Sequence, residues 1–246
     1  MIWLAAIVGD PACALQPLLT KAVNQDSVEW LAKNYDGRIV FTSTCSVYGE
    51  IQGLNNEEGP TNPLSLYAST KLNAEGFLKD KDALILRLGT AFGISDTYAR
   101  PRMDLVANQM PVAALTKGEV TVFGGTQWRP MVHVEDIADA CVNNLFRPVR
   151  GIYNLAAVNM TIKDVALAVQ RATGCGIDYK PLGSDARDYF VSTEKALRDG
   201  IYNPSTTRTI AHGVRQFANL VKSGRVTDTE NSVYSNVRYL GRRNQP

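Results

Sequence analysis

The sequence predicts an α/β fold in which a parallel β-sheet carries helices on both faces. Short apolar runs alternate along the chain with segments of helical periodicity, which is the pattern of strand–helix–strand crossovers. Residues 2–8 form an apolar run without alternation, as expected of a strand that is covered on both faces. The chain has 246 residues, of which 45% are hydrophobic, and this is enough for one large domain with an attached lobe.

Strands are predicted where short apolar runs are bounded by turn residues, and helices where apolar residues recur at helical spacing. The predicted strands span residues 2–8, 37–44, 83–88, 119–124 and 151–156. The predicted helices span residues 12–34, 65–80, 134–146, 161–174 and 209–224, with a further helix before the strand at 119–124. Residues 45–63 form a polar loop rich in glycine and proline, and the polar tail from Arg225 is expected to be loosely ordered.

The composition excludes several classes of function. A net charge of +2 without a basic stripe argues against nucleic acid as a partner. No stretch is long and apolar enough to cross a membrane, and Asp10 and Pro11 interrupt the first apolar run, which disfavours a signal peptide. The absence of a C-x-x-C pair and the presence of only two histidines argue against a zinc site or a disulfide framework, and predict a cytoplasmic protein without a metal. The cysteines are Cys13, Cys45, Cys141 and Cys175.

The segment "SLYASTK" (65–71) contains the first candidate catalytic residues. Tyr67 and Lys71 are four residues apart, so they share one face of the predicted helix. A neighbouring ammonium favours the phenolate, so Lys71 is expected to lower the pKa of Tyr67 and to make it a proton acceptor. The alternative interpretation is a surface tyrosine beside a solvated lysine, because this spacing is common by chance.

Three other segments place polar groups where predicted strands end. The run "FTSTCSVYG" (41–49) ends a buried strand with three hydroxyl groups, and ligands collect at the carboxyl ends of parallel strands. These hydroxyls belong to Thr42, Ser43 and Thr44. The run "LRLGTAFG" (86–93) repeats the pattern of a strand that enters a glycine turn, and "GGTQWRPMVHVEDIADA" (124–140) places Arg129 before a short strand. The alternative for Arg129 is a surface ion pair.

Taken together, these segments resemble the extended short-chain dehydrogenase/reductase family, the NAD-dependent epimerases and dehydratases of nucleotide sugars. "LAA" (4–6) resembles the fourth-strand motif of the family, and Asn24 resembles its asparagine on the following helix. "STCSVYG" (43–49) resembles the strand that bears the catalytic hydroxyl, and "YASTK" (67–71) resembles the Tyr–Lys pair. The resemblance covers nearly the whole chain and implies cofactor-binding roles for Leu4, Ala5, Ala6, Asn24, Tyr67 and Lys71.

The resemblance also implies the chemistry of the site. Tyr67 is expected to take the proton of a sugar hydroxyl while NAD or NADP takes the hydride from the same carbon. Thr44 is expected to donate a hydrogen bond to the developing ketone, and Lys71 to tune Tyr67 and hold the cofactor ribose. In an epimerase the ketone then turns over and receives the hydride on its other face.

Two arginine segments resemble the substrate-binding elements of the family. "WRPMVHVEDIADA" (128–140) and "DARDYFVSTEKA" (185–196) imply that Arg129 and Arg187 bind the nucleotide and its diphosphate. A planar guanidinium suits this role because it can hold two phosphate oxygens at once. Thr90 stands at a further substrate-binding position, where UDP-galactose 4-epimerases have an asparagine.

The sequence departs from the family pattern after the catalytic threonine. Cys45 and Ser46 stand where 4,6-dehydratases carry Asp-Glu, so dehydration, which needs an acid and a base, is disfavoured. Cys45 also misses by one residue the cysteine position of members that epimerise next to a ketone. Simple oxidation and reduction, or 4-epimerisation, therefore remain.

Family members place a strand, a glycine-rich G-x-x-G-x-x-G turn, a helix and two more strands before "LAA", and this sequence contains none of them. The resemblance therefore implies a truncated Rossmann-like sheet with a small C-terminal substrate-binding lobe. Binding of NAD is expected to be weak or absent, because the glycine turn that holds the pyrophosphate is missing. The strand at 2–8 is expected to lie at an edge and to pair with a second copy in a homodimer, or with another polypeptide.

The predicted organisation has two units and a tail. Residues 1–95, with 130–160, form a partial NAD-binding domain; residues 96–129 and 161–224 form the lobe; residues 225–246 form the tail. Three interpretations remain open. In the first, the chain is an NAD-dependent nucleotide-sugar epimerase or oxidoreductase. In the second, it is a non-catalytic homologue that binds a nucleotide sugar or a partner chain. In the third, the natural protein is longer, and the start of this sequence was assigned too far downstream.

Overall fold

A computed structural model describes residues 1–51, 53–96, 98–182 and 187–242. The strands are β1 Ile2–Trp3, β2 Ile39–Thr44, β3 Leu54–Asn55, β4 Ala83–Leu88, β5 Thr90–Phe92, β6 Glu119–Phe123, β7 Trp128–His133, β8 Gly151–Leu155, β9 Val158–Thr161, β10 Gly176–Lys180 and β11 Phe190–Val191. The helices are α1 Asp10–Leu15, α2 Pro17–Lys21, α3 Ser27–Asn34, α4 Leu66–Leu78, α5 Val106–Lys117, α6 Val134–Asn143, α7 Ile162–Thr173, α8 Glu194–Arg198, α9 Ile210–Lys222 and α10 Asn236–Arg242.

The central sheet is parallel and has the strand order β1-β2-β4-β8. Alternate residues of its strands point to opposite faces, and helices cover both. On one face Phe41 and Ile85 pack with residues of α3 and α4. On the other face Val40 and Leu84 pack with residues of α6 and α8. The predicted α/β fold with a parallel sheet between two helical layers is therefore confirmed.

A second core lies beside the sheet and combines the later helices with small sheets. Helices α5, α7 and α9 pack against β6, which pairs in parallel with β10. The chain also forms a β5-β7-β9 sheet and a β3-β11 pair, and these connect the two cores. The described part of the chain contains no helix with both the length and the hydrophobicity of a membrane span.

The predicted strand at 2–8 is wrong in its length. Strand β1 contains only Ile2 and Trp3, and it lies at the end of the strand order, so the predicted edge position is correct. Leu4 follows it with 62% of its surface exposed. The apolar run is therefore not covered on both faces, because β1 has a neighbouring strand on one side only within the described residues.

The predicted helix at 12–34 is broken into shorter segments. Gln16 leaves the helical conformation between α1 and α2, because the ring of Pro17 disfavours helical geometry in the residue before it. A π-helical turn, Ala22–Asp26, then separates α2 from α3. The predicted loop at 45–63 similarly contains a 3₁₀ turn, Cys45–Tyr48, and strand β3.

The predicted loose tail is also wrong over its described part. Val226 is buried, and the segment ends in a 3₁₀ turn, Ser232–Tyr234, and helix α10. The side chain of Asn236 donates a hydrogen bond to the carbonyl of Val8 at 2.9 Å. The C-terminal segment therefore packs against the start of α1. Residues 243–246 lie outside the described part of the chain.

Gly49 ends the 3₁₀ turn Cys45–Tyr48 with a φ of +63°. A Cβ at this position would overlap the carbonyl oxygen of Asn62. Gly49→Ala is expected to lower the free energy of unfolding by about 3 kcal/mol, because backbone strain and overpacking add. Gly53→Ala is the matched control, since Gly53 has a φ of +91° and open space around it. Urea denaturation should give a loss of about 1–2 kcal/mol for the control, and equal losses for the two variants would contradict the steric argument.

Candidate active site

A cavity of about 930 Å³ opens at the carboxyl ends of β2 and β4, between the sheet and the second core. Its wall contains residues from both sides. Among the predicted site residues, its lining includes Thr44, Tyr67, Thr90, Arg129 and Arg187. The sequence motifs that point to catalysis and to phosphate binding therefore meet at one cavity, although they are distributed over more than half of the chain.

Thr44 and Tyr67 meet at the wall of this cavity. Thr44 ends β2, and its Oγ1 accepts a hydrogen bond from the backbone N–H of Ser46 at 3.1 Å, which caps the following turn. The side chain of Thr44 also acts on the phenol of Tyr67 and lowers its pKa. The position of Tyr67 is set by α4, whose N-terminus is capped by the hydroxyl of Ser65. The hydroxyls of Thr44 and Tyr67 can therefore contact one oxygen atom of a bound ligand.

Lys71 lies one helical turn after Tyr67 and is only 2% exposed. Its Nζ lies 4.2 Å from the centroid of the Phe41 ring. Within the described residues the ammonium makes no hydrogen bond and no ion pair. A buried ammonium with three unused donors is suited to binding hydroxyl groups of a ligand.

The ionisation of Tyr67 differs from the prediction. Burial raises the pKa of Tyr67 above its ordinary value, and the effects of the Thr44 side chain and of the charge of Arg102 oppose the rise only in part. The expected lowering by Lys71 is therefore wrong for this structure. Lys71 is itself desolvated, and burial lowers its pKa to about 8.

The lowered pKa of Lys71 predicts how stability depends on pH. Burial lowers this pKa to about 8 from its ordinary value of 10.5, so between these values the unfolded chain binds more protons than the folded chain. Stability should therefore rise with pH in this window, and the contribution of Lys71 amounts to about 2 kcal/mol between about pH 7.5 and 9.5. Urea denaturation at both pH values measures this change, and Lys71→Met should remove it.

The matched control for this test is Lys79→Met, which changes an exposed lysine at the end of the same helix. The control variant should keep the wild-type difference between the two pH values. If Lys71→Met also keeps it, the ammonium of Lys71 is not desolvated in the folded chain.

Arg129 and Arg187 lie together on the cavity wall. Arg129 is 5% exposed, and its guanidinium donates to the carbonyls of Trp128 and Arg187. Arg187 forms an ion pair of 3.2 Å with Asp10, which also accepts a hydrogen bond from Ser65. Two guanidinium groups at one wall form a suitable site for a diphosphate. Asp185 and Ala186 of the same predicted motif lie outside the described residues.

Tyr67 belongs to the cavity lining, but the structure does not bring Lys71 or the other predicted cofactor residues to it. Leu4 and Ala5 are exposed, and Ala6 is partly exposed, in the irregular segment after β1. Asn24 is buried in the π-helical turn, where its side chain bonds the N–H of Ile7 at 2.7 Å and the carbonyl of Ile7 at 2.9 Å. Asn24 therefore holds the segment that leads from β1 into the cavity wall.

A buried ion pair lies behind the site. Both carboxylate oxygens of Glu75 accept hydrogen bonds from Arg87, at distances of 2.8–3.2 Å. Ser43 donates to Glu75 at 2.5 Å, and Arg87 donates to the hydroxyl of Tyr48 at 2.9 Å. This network connects α4 to β2 and β4, and it therefore sets the position of Tyr67 relative to Thr44.

The side chains of His133, Glu135 and His212 come close enough to be compared with a metal site. Both ring nitrogens of His133 are already bonded. Nδ1 accepts from the N–H of Glu135 at 3.1 Å, and Nε2 lies 2.8 Å from the side-chain oxygen of Gln216. The three side chains therefore lie close together because hydrogen bonds of His133 connect the start of α6 to α9.

Sequence reasoning did not identify Arg102, Asp104 and Tyr189, which also line the cavity. Arg102 and Asp104 lie in the irregular segment between β5 and α5, where no periodic pattern marks a residue as functional. The cluster of charges "RPRMD" (100–104) was the available signal, but such clusters are common on solvated loops.

The chain is similar to several known proteins in sequence and in fold. The sequence of the chain is 32% identical over 142 residues, or 55% of the chain, to an uncharacterized UDP-glucose epimerase, YtcB, of Bacillus subtilis. It is 29% identical over 133 residues, or 46% of the chain, to the UDP-glucose 4-epimerase of Azospirillum brasilense. These alignments cover 40% and 38% of the relatives, so the chain spans about two fifths of the length of the curated relatives it matches.

Two solved structures show the same fold. The NAD-dependent NDP-hexosamine 5,6-dehydratase TunA superposes with a TM-score of 0.77 at 23% identity, over 94% of this chain and 78% of that chain. The UDP-glucose 4-epimerase of Thermus thermophilus, in complex with NAD, superposes with a TM-score of 0.72 at 24% identity, over 90% of this chain and 76% of that chain. Residues 1–156, more than half of the chain, match the model of the NAD dependent epimerase/dehydratase family, and the chain belongs to this family.

Proposed function

We propose that the chain is an NAD-dependent nucleotide-sugar epimerase or oxidoreductase that acts through Thr44, Tyr67 and Lys71. The observation that supports this most strongly is the single cavity that joins Thr44 and Tyr67 to Arg129 and Arg187. A nucleotide sugar has a diphosphate next to a hexose, and the cavity wall offers guanidinium groups for the first and hydroxyl groups for the second. The volume of about 930 Å³ is at the upper end of small-molecule sites, which suits a ligand of this size beside a cofactor.

The residues behind the cavity fit a nicotinamide cofactor at its ribose end. Lys71 is a buried cation without a hydrogen-bond partner in the described residues, and Tyr67 stands one turn before it. Lys71 would bind the ribose hydroxyls. When bound, NAD or NADP supplies the chemistry of taking a hydride from a sugar carbon and returning it. That this chain binds NAD weakly stays a prediction, which calorimetric titration with NAD tests.

The protein residues would handle the proton of the reacting hydroxyl. Thr44 donates a hydrogen bond to the sugar oxygen, and Tyr67 accepts the proton that leaves this oxygen. The positive charge of Arg102 favours the tyrosinate. Arg129 and Arg187 hold the diphosphate and thereby fix the distance from the sugar carbon to Tyr67.

The same geometry disfavours dehydration. Cys45 is buried and donates a hydrogen bond to the carbonyl of Arg87, and burial raises the pKa of its thiol. Ser46 lines the cavity and lies 3.3 Å from the hydroxyl of Tyr189. Neither residue supplies the carboxylic acid that would expel a sugar hydroxyl, so we assign redox or 4-epimerase chemistry.

Product analysis tests this function. The chain is incubated with NAD and with UDP-, dTDP- or GDP-glucose, and the nucleotide sugars are separated by anion-exchange chromatography. We expect one of the three to be converted to its 4-epimer or to a keto sugar. Failure to bind any of the three would contradict the proposal.

A non-catalytic role in binding a nucleotide sugar is the second candidate. It is favoured by the raised pKa of Tyr67, which keeps the phenol protonated at neutral pH. Tight binding of a nucleotide sugar without any turnover in the presence of saturating NAD would support this role over the enzyme.

We also propose that the chain forms a homodimer through the edge strand β1. The outer side of β1 has no strand partner within the described residues, and the exposed Leu4 continues the apolar surface beside it. Unpaired edges of this kind favour association. Sedimentation equilibrium should give twice the monomer mass, and a monomer at all concentrations would contradict the proposal. A cytoplasmic location stays a prediction.

A further inference from the structure

Arg102 stands at the wall of the cavity close to Tyr67. Its Nη2 lies 3.6 Å from the position that a Cβ on Gly9 would occupy, and both residues line the cavity. The positive charge of Arg102 acts on the phenol of Tyr67, together with the opposing charge of Asp10. The guanidinium therefore faces the same space as the proposed catalytic hydroxyls.

The guanidinium of Arg102 is held on one side and available on the other. The Nε of Arg102 donates to Asp104 at 3.0 Å. The backbone carbonyl of Arg102 accepts a hydrogen bond from the side chain of Asn108 at 2.8 Å. Its two terminal amino groups make no hydrogen bond within the described residues. The side chain is 23% exposed, at the cavity wall. An arginine fixed by Nε presents its terminal amino groups as donors in a defined direction.

The anchor of Arg102 is in turn fixed by the C-terminal helix. The second carboxylate oxygen of Asp104 accepts from the backbone N–H of Asn236 at 2.8 Å. The side chain of Asn236 donates to the carbonyl of Val8, which precedes Gly9. One buried residue at the start of α10 therefore holds both Asp104 and the turn that contacts Arg102.

We propose that Arg102 binds an oxygen atom of the hexose in this cavity and that the side chain of Asn236 positions it through the turn at Val8 and Gly9. This inference rests on the proposed function, because it requires a nucleotide sugar as the ligand. A guanidinium beside Tyr67 contacts the sugar oxygens, and its charge strengthens the hydrogen bond as negative charge develops on the reacting oxygen. Arg102 is then a residue of the sugar site, and Asn236 is a positioning residue.

Calorimetric titration with UDP and with UDP-glucose tests the role of Arg102. The titrations are repeated with dTDP and dTDP-glucose and with GDP and GDP-glucose, so that the other two bases are also tested. Arg102→Gln should weaken binding of the nucleotide sugar about tenfold or more, because a hydrogen bond from a charged donor is lost. Binding of the nucleotide diphosphate alone should change less than about twofold, because it lacks the hexose. Arg171→Gln removes the same charge from an exposed position on α7 and should change neither affinity.

A double-mutant cycle tests the role of Asn236. Asn236→Ala should weaken binding of the nucleotide sugar and spare the nucleotide diphosphate. In the Arg102→Gln background, Asn236→Ala should weaken binding of the nucleotide sugar little further, because the guanidinium that Asn236 positions is already gone. Asn219→Ala, at an exposed position on α9, is the control for the loss of an asparagine.

The outcomes separate the inference from the function on which it rests. If Arg102→Gln weakens the binding of the nucleotide diphosphate and of the nucleotide sugar equally, Arg102 is a ligand of the diphosphate. If it weakens neither, Arg102 only forms the ion pair with Asp104. Either result overturns the inference and leaves the proposed function standing. Additive effects of Asn236→Ala and Arg102→Gln overturn the positioning role. A wild-type chain that binds none of these ligands overturns the proposed function, and the inference with it.

Discussion

Replacement of Tyr67 by phenylalanine should lower turnover of the nucleotide sugar about 10²–10⁴-fold, which is the usual contribution of a positioned proton acceptor. The phenol is the proposed acceptor for the proton of the reacting hydroxyl, and phenylalanine keeps the ring but removes the acceptor. Turnover is measured by chromatographic analysis of the product formed in the presence of saturating NAD.

The matched control is Tyr98→Phe, because Tyr98 is 97% exposed. This control should keep wild-type turnover. Calorimetry should show that Tyr67→Phe still binds the nucleotide sugar within a few-fold of wild type, since the diphosphate contacts with Arg129 and Arg187 remain. Turnover of Tyr67→Phe at the wild-type rate would remove Tyr67 from the mechanism.

Replacement of Glu75 by glutamine should lower the free energy of unfolding by about 3–5 kcal/mol. Glu75 and Arg87 are both buried, and three hydrogen bonds join them. The neutral amide leaves the charge of Arg87 buried without a counter-ion and also disturbs the contact with Ser43. Urea denaturation measures the loss.

Two control variants isolate the effect of the buried charge. The double variant Glu75→Leu with Arg87→Met should be less destabilised than Glu75→Gln alone, because no unpaired charge remains. Glu29→Gln breaks the exposed pair with Lys33, which is worth about 0.5 kcal/mol or less. A loss of similar size for Glu75→Gln and Glu29→Gln would contradict the argument from burial.

The elements that sequence reasoning located well are those whose signals are local. Strand β4 coincides with the predicted 83–88, because an apolar run that only Arg87 interrupts lies between Asp82 and Gly89. Helix α7 lies inside the predicted 161–174, because Thr161 and Asp164 form a capping box and Gly174 ends the helix in the left-handed conformation.

The errors arise where the outcome depends on distant parts of the chain. Residues 4–8 have the composition of a buried strand, but burial requires neighbours that the local sequence does not specify. The tail from Arg225 is polar, yet Val226 and Asn236 are buried because other segments offer contacts to them. The boundaries proposed for the two units stay a prediction.

The site was predicted where family motifs mark it and missed where no motif exists. The motifs at 43–49 and 67–71 led to Thr44 and Tyr67, which share the cavity. The charge cluster at 100–104 was too weak a signal for Arg102, because its proposed role depends on Asp104 and on a helix more than a hundred residues later. The direction of the Tyr67 pKa was also not accessible, because it depends on how much water reaches the phenol.

A crystal structure of the chain soaked with UDP-glucose is the most direct measurement of the central claim, which is that one cavity joins a proton-transfer pair to a phosphate site. We predict that the hexose will lie within hydrogen-bonding distance of the hydroxyls of Thr44 and Tyr67, with its diphosphate against Arg129 and Arg187. A hexose bound outside this cavity, or bound within it with its ring turned away from Tyr67, would contradict the account.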